Sequence, residues 1–474
     1  MSERRRPGER LRLACVDVDE DGAGICQAAN TDGGASVEAA VAASTVLVPG
    51  ALPGERVIAT VSHASPHQPR AWAALETIDV ASAARRAPMC PAFGSCGGCR
   101  LQHWELAAQR AWKTQQVRAA LATHPALATI PVAACMPSPH DLGYRNNAKL
   151  VYGRDAAGAL VLGAYAPRSH EVVDLAGCRL VEPALDAAAV ALRVALVAHD
   201  VIPYDERLLL GDLRYAVLRA NHRGQVLATL VTARREWNAG AAVAADFRAR
   251  CPAVAGVVHN VNPTRGNVIY GDEEVTLSGQ PTLDEQIGPV ALRLSSRAFF
   301  QANRAVAALA YAHIARAIAD AAATVGAPVV DCLVDAYCGV GGIALGAAAQ
   351  ARTIVAIESN AAAITDATAA ARAAGVSNVH FVVADAAAGL RAVDRADAVV
   401  VNPPRKGCAP AVIAEVLRLR PRLIAYLSCA PDTLARDLAA LVAGDAGYRI
   451  ESVTPYDMLP HTPHVEVLAM AKLI

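Results

Sequence analysis

Apolar positions recur at two different periods along the chain, and the change of period divides it. Over 8–78 alternate residues are apolar and glycine or proline punctuates the runs. Leu11-Arg-Leu-Ala-Cys-Val-Asp-Val alternates, Gly22 to Gly24 turns, and Val46-Leu-Val-Pro-Gly leads into Arg56-Val-Ile-Ala-Thr-Val. Period-two patterning with such turns predicts short strands of a small barrel or sandwich. A helix is expected over about 104–121. Strands and helices mix over 144–288, with hairpin turns expected at Arg154-Asp155 and at His222-Arg-Gly. From about 293 the period changes. A long alanine-rich helix over 304–323 precedes a strand over 329–335. Apolar runs at 353–357, 379–383, 398–401 and 423–427 then alternate with helices. Runs of that length with helices between them predict a parallel sheet covered on both faces. Three domains are expected: 8–78, 79–292 and 293–474.

Composition sharpens this picture. Hydrophobic residues make up 54% of 474 residues, enough for a sizeable core, although much of that fraction is alanine. Lys+Arg 44 cancels Asp+Glu 44, so no global field pulls the chain to nucleic acid and any such site is local. Only four of the basic residues are lysines (Lys113, Lys149, Lys406, Lys472). The charged start Met1-Ser-Glu-Arg-Arg-Arg is unlike a secretory signal. Pro125, Pro131, Pro137 and Pro139 break the uncharged run over 119–140, so no membrane span is expected. The expected location is the cytoplasm. There, 12 cysteines point to metal or catalytic work more than to disulfides.

Asp335-Ala-Tyr-Cys-Gly-Val-Gly-Gly ends one strand and opens a helix, where glycines let backbone approach a ligand. Glu358 ends the next strand 19 positions after Gly339, a spacing that suits a carboxylate on ribose hydroxyls. The same pattern fits NAD. Three features favour S-adenosylmethionine. Asp335 is placed to receive a cationic methionyl amine, Asp385 to accept from an adenine amine, and Asn402-Pro-Pro-Arg follows the fourth strand. The bland alternative for Asp335 and Glu358 is helix capping.

Cys429 follows the fifth strand, at the edge that lines the ligand crevice of open α/β sheets. It is either a nucleophile or a small buried hydrophobe. Glu466 is either a partly desolvated base or a surface carboxylate. Cys90, Cys96 and Cys99 form C-x5-C-x2-C, and Cys178 stands 79 residues on. Four thiolates suit an iron–sulfur cluster or a structural zinc, and spacing alone does not choose.

Taken in order, these motifs resemble the RNA (uracil-5-)-methyltransferases, most closely the iron–sulfur-containing 23S ribosomal RNA subfamily. Val48-Pro-Gly-Ala-Leu-Pro-Gly-Glu-Arg-Val resembles its TRAM domain, a small OB-like RNA-binding barrel. Cys90…Cys96-Gly-Gly-Cys99-Arg-Leu-Gln-His resembles its cluster segment, with Cys178 in fourth position, which implies [4Fe–4S] in a middle α+β domain. Phe299-Phe-Gln301-Ala-Asn leads into a Rossmann-like class I methyltransferase domain. Tyr426-Leu-Ser-Cys429-Ala-Pro-Asp-Thr-Leu-Ala-Arg-Asp and His464-Val-Glu466 resemble the nucleophile and base motifs.

The resemblance implies cofactor contacts at Gln301, Tyr337, Gly342, Glu358, Asp385 and Asn402. It implies substrate contacts at Phe299, Arg145 and Arg405, and a helix after Cys99 that packs on the catalytic domain. The implied reaction is methylation of uracil C5 in 23S rRNA through a Cys429–C6 adduct, with Glu466 as base, by a monomer. Transfer RNA is the alternative substrate, and a cluster-containing NAD oxidoreductase the alternative class. Three positions depart from the family: Asn402 for the usual Asp, Ala430 for Asn, and Gly342 where Asn is common.

Overall fold

The computed structural model describes residues 5–28, 45–167, 169–266, 268–444 and 447–474. Two compact units divide the chain. One holds residues up to Trp112 with Leu459–His464, and the other holds Lys113–Met458 with Val465–Ile474.

In the first unit, β1 (Arg10–Val18), β2 (Ala23–Ala28), β3 (Thr45–Pro49), β4 (Arg56–Ala64) and β5 (Arg70–Val80) close into a barrel of order β1-β2-β3-β5-β4. The alternation seen in the sequence sends Leu11, Leu13, Cys15, Val57, Ala59 and Val61 inward. Closure leaves no unpaired sheet edge. Glu55, 1% exposed, accepts from the backbone of Leu52 and Ser82 and from Nε and Nη2 of Arg85, so the chain leaving the barrel is tied back to it. The cysteine loop follows as a run of turns, and α1 (Leu106–Ala122) begins after it.

The second unit takes over inside α1. Val117, Ala120 and Leu121 belong to the core of the C-terminal sheet. A seven-stranded sheet comes first: β6 (Asn147–Arg154), β7 (Leu160–Tyr165), β8 (Val172–Asp174), β9 (Leu213–Ala220), β10 (Val226–Thr232), β11 (Val254–Val261) and β12 (Glu273–Gly279), in the order β12-β11-β10-β9-β6-β7-β8. The expected turns at Arg154-Asp155 and His222-Arg-Gly join β6 to β7 and β9 to β10. α2 (Pro183–Ala198) and α3 (Gly240–Arg250) bury Leu185, Leu192, Val243 and Phe247 against this sheet. A hairpin, β13 (Thr282–Ile287) and β14 (Val290–Ser295), leads to α4 (Arg304–Ala323). α4 has the length and hydropathy of a membrane span, but its Val306, Ala310, Ile314 and Ile318 are fully buried in the fold.

The C-terminal sheet comprises β15 (Val330–Ala336), β16 (Ala351–Glu358), β17 (Val379–Val383), β18 (Ala398–Val401), β19 (Leu423–Ser428), β20 (Tyr448–Tyr456) and β21 (Glu466–Leu473). Its order is β17-β16-β15-β18-β19-β21-β20. Helices α5 (Gly342–Gly346), α6 (Ala361–Ala373), α7 (Ala386–Arg391), α8 (Pro410–Leu419) and α9 (Pro431–Val442) connect its strands. β15 to β19 run parallel as the apolar runs predict.

The structure extends the expected parallel sheet and limits its cover at one edge. β21 adds antiparallel to β19, with β20 antiparallel to β21 beyond it. The edge strand β17 leaves Val382 and Val383 exposed. β21 reads Glu-Val-Leu-Ala-Met-Ala-Lys-Leu, too poor in β-branched residues to announce a strand, and it is held by burial between its neighbours.

Candidate active site

Six strand ends of the second unit, of β15 to β19 and β21, carry the expected residues together with the glycine loop and the loop before α4. Asp335 lies one residue before the end of β15 and is fully buried. Its Oδ2 accepts from the Ala344 amide at 2.9 Å and its Oδ1 has no partner. Burial, with the Glu358 charge added, pushes its carboxyl up to about 7 against the Ala344 hydrogen bond. A buried carboxyl oxygen left over after capping is a ready partner for an ammonium group. The capping reading of Asp335 therefore holds for one oxygen and leaves the other for a ligand.

The loop after β15 is built for close backbone approach. Tyr337, Gly339 and Gly341 have φ of +66°, +54° and +83°. Tyr337 is the costly one, since a residue with Cβ rarely takes that conformation. A Cβ on Gly341 would stand 3.2 Å from Ala367 and Phe381, and one on Gly342 2.9 Å from the Tyr311 ring. Glu358, at the end of β16, fixes the loop by accepting from the Gly339 amide at 3.2 Å and also caps the next turn through Asn360 N at 2.9 Å. Asp385 is exposed and caps α7 through Ala387 N. The Asn402 amide reaches the Ala336 carbonyl, so the Asn402-Pro-Pro-Arg loop leaves the sheet beside the glycine loop. These residues fit S-adenosylmethionine: an orphaned buried acid, a loop with little room for a Cβ at Gly341 and Gly342, and a second acid on the neighbouring strand end.

The opposite wall carries the chemistry. β19 and β21 pair through Ser428–Val467 as their last rung. Cys429 directly follows that rung on one strand and Glu466 directly precedes it on the other, near enough that the Glu466 charge acts on the thiol. Glu466 is 5% exposed, and burial raises its carboxyl to about 7 while Arg405 opposes the shift. Cys429 is half-buried. Burial and then the Glu466 charge raise its thiol, and Arg405 lowers it through its charge and a hydrogen bond. Arg405 thus acts on both groups. Behind Cys429, Asp437 Oδ2 accepts from the Tyr426 hydroxyl at 2.6 Å and the Cys408 amide at 2.7 Å, which ties α9, β19 and the proline loop together.

The loop before α4 completes the site. Phe299 is 73% exposed, whereas Phe300 and Gln301 are buried. Residues that the sequence reading did not select hold this loop. Asn146 donates to the Gln301 carbonyl at 2.8 Å, Arg219 donates to the Ala298 carbonyl, and Asn303 caps α4 while donating to Ser138 and Met458. Asparagine just before an apolar helical run is a legible N-cap signal. Arg219 and Asn146 gave none, because their partners are remote in sequence. Tyr311, also missed, hydrogen-bonds the Gln301 side chain. Burial, then Asp335 and Glu466, push its phenol above the usual range. Arg145 is partly buried and its guanidinium donates to the Asn147 carbonyl.

The cysteine expectation finds less support. Cys90, Cys96 and Cys99 lie half-buried on one loop of the first unit, and Cys178 belongs to the second. The Gly98 amide turns onto Cys96 Sγ at 3.4 Å. Among the described residues, no group of three or more His, Cys, Asp or Glu side chains is gathered so as to hold a metal ion. The arrangement does not by itself fit a cluster.

Known proteins bear on this geometry. A family model described as tRNA (Uracil-5-)-methyltransferase matches residues 284–472. An RNA methyltransferase of Geobacter sulfurreducens, itself uncharacterized, is 36% identical over 98% of this chain and 90% of its own. Another, from Halalkalibacterium halodurans, is 33% identical over all of both chains. Among solved structures, the Pyrococcus abyssi tRNA (uracil-54, C5)-methyltransferase in complex with S-adenosyl-L-homocysteine shares the fold, with a TM-score of 0.74 at 24% identity over 97% of this chain and 100% of that one. With relatives of this identity matching along nearly its whole length, the chain belongs to the RNA (uracil-5-)-methyltransferase family.

Proposed function

We propose that this enzyme methylates C5 of a uridine through covalent catalysis by Cys429, with Glu466 as the base. The placement of these two residues on either side of the last β19–β21 rung, with the Glu466 charge acting on the thiol, supports the reading. Bound S-adenosylmethionine supplies an electrophilic methyl group, and the chain supplies the rest. Cys429 loses its proton to solvent, and the thiolate sulfur bonds to uracil C6, which moves the C5=C6 electrons toward O4 and makes C5 nucleophilic. After C5 gains its methyl group, Glu466 takes the C5 proton. The ring electrons return, the C6–S bond breaks, and the thiolate leaves. A carboxyl near 7 is matched to that duty at neutral pH. Arg405 offsets the rise that burial imposes on both groups. Asp335, Glu358, the glycine loop and Gln301 bind and orient the donor.

The substrate we propose is 23S rRNA, supported by the resemblance of the barrel and the cysteine segment to that subfamily. The barrel takes the TRAM-like RNA-binding role, and the target base is unstacked to reach Cys429. Transfer RNA is the second reading, since the solved Pyrococcus relative is a tRNA methyltransferase. A [4Fe–4S] cluster on Cys90, Cys96, Cys99 and Cys178 rests on the resemblance of the cysteine segment to that subfamily. About four irons per chain in anaerobically purified protein would carry it, and an iron-free protein would refute it. No step of the reaction runs through it.

Mapping 5-methyluridine in rRNA and tRNA from cells with and without the gene tests the substrate. Loss of a single 23S rRNA site is expected, and loss from tRNA overturns that choice. A denaturant-resistant adduct with RNA carrying 5-fluorouridine tests the chemistry, because fluorine blocks the proton transfer. Methyl transfer without any such adduct would refute covalent catalysis.

A further inference from the structure

β6 and β9 pair so that Asn147 faces Arg219 and Lys149 faces Val217. Facing residues of an antiparallel pair, and residues two apart on a strand, project to the same side. Asn147, Lys149 and Arg219 therefore share one face, while Ala148, Leu150, Ala216 and Leu218 fill the apolar core on the other. Arg145, just before β6, lays its guanidinium on the Asn147 carbonyl at 3.2 Å. Three cations thus stand beside one another in a chain whose net charge is zero.

Their partners do not balance them. Arg219 is 6% exposed and its Nη1 has no hydrogen-bond partner, nor does Asn147 Oδ1. Tyr270, Glu285 and Asp366 offset only part of the burial cost of the Arg219 guanidinium. Lys149 is exposed, and the charges that act on it, from Arg145 and Arg219, are both positive. Partial loss of water and then those like charges hold its ammonium below its usual range. Arg304, by contrast, spends its guanidinium on Glu182 at 2.7 Å and Glu285 at 3.0 Å.

The same Arg219 holds the Ala298 carbonyl, next to the exposed Phe299 ring. A cationic cluster beside an exposed aromatic suits a nucleic-acid strand, whose phosphates take the charge and whose bases stack on the ring. We propose that Lys149, Arg145 and Arg219 form a phosphate-binding site for the RNA backbone next to the nucleotide whose base reaches Cys429. The site rests on the RNA-methylation reading above and adds where the strand is gripped.

Filter binding of unmodified large-subunit rRNA and tRNA transcripts across a salt series tests it, with Lys149→Gln and Lys149→Arg. Lys149→Gln is expected to weaken binding of the bound transcript about threefold to tenfold and to lower the slope of log K against log salt by about one. Lys149→Arg is expected to retain both. S-adenosylmethionine affinity and thermal midpoint should stay unchanged in each, since Lys149 lies at the surface. Wild-type affinity and slope in Lys149→Gln overturn the site, even where the unsubstituted enzyme methylates the same transcript and the methylation reading stands. Lys149-dependent binding of an RNA that is never methylated upholds the site and removes the methylation reading instead. Transcripts that the unsubstituted protein does not bind at all overturn both.

Discussion

Cys429 and Glu466 lie 37 positions apart in the chain and flank the Ser428–Val467 rung, the first just after β19 and the second at the start of β21. The glutamate acts on the cysteine. The Glu466 carboxylate raises the Cys429 thiol, and burial raises Glu466 itself to about 7. A nucleophile and a base held at adjacent strand ends suit a reaction at two bonded ring atoms, C6 and C5.

Removing the base should stop the reaction after the bond to sulfur has formed. Glu466→Gln is expected to lower kcat by about 10²–10⁴-fold. Adduct with ordinary RNA should accumulate in denaturing gels. Cys429→Ala should abolish both turnover and adduct while binding S-adenosylmethionine normally. Turnover by Cys429→Ala would defeat the covalent scheme.

The raised carboxyl of Glu466 sets a pH dependence of opposite sign in activity and in stability. The base works when ionised, so kcat should climb on an acid limb centred near 7. The folded value lies above the ordinary carboxyl value of about 4.5, so burial of the neutral acid stabilises the fold fully below about 4.5 and the contribution fades as pH rises through about 7. Glu466→Gln should therefore match the parent in denaturant titrations at low pH and exceed it at pH 8 by up to about 3 kcal/mol. Equal stability at both pH values would contradict the assigned burial.

Arg405 lowers both partners of the pair. Arg405→Ala should raise the Cys429 thiol and slow its alkylation by iodoacetamide at neutral pH by about threefold to tenfold, a shift of up to one pKa unit. The acid limb of kcat should move upward as well. Unchanged alkylation would remove Arg405 from this role.

Asp335 keeps one buried oxygen without a partner. In Asp335→Asn the capping bond from Ala344 survives and the charge does not. A charged hydrogen bond is worth about 1.5–3 kcal/mol, so S-adenosylmethionine should bind about tenfold to a hundredfold more weakly by calorimetry. Unaltered affinity would leave Asp335 a cap alone.

Gly342 departs from the family's frequent Asn, and the Tyr311 ring explains the exchange. A Cβ at residue 342 would lie 2.9 Å from Tyr311 Cε2. Gly342→Ala should cost about 1–3 kcal/mol of stability, measured in denaturant. A Tyr311→Leu background should recover much of it. Equal cost in both backgrounds would mean that another neighbour sets the limit.

The sequence by itself determined the barrel strands, the long helix over 304–323, the parallel strands and the glycine loop. Each rests on local periodicity or on a residue type that backbone geometry demands. Cys429 was legible as a strand-end cysteine. Glu466 taken alone reads as a surface carboxylate, because nothing local announces β21. Only the antiparallel pairing of β21 with β19 buries that glutamate and sets it against the thiol. Tyr311, Arg219 and Asn146 belong to the same class. Each acts through a partner on another element, and which side chains meet depends on helix phase and strand register. Those are fixed when distant apolar faces pack together, and no window of the chain contains them.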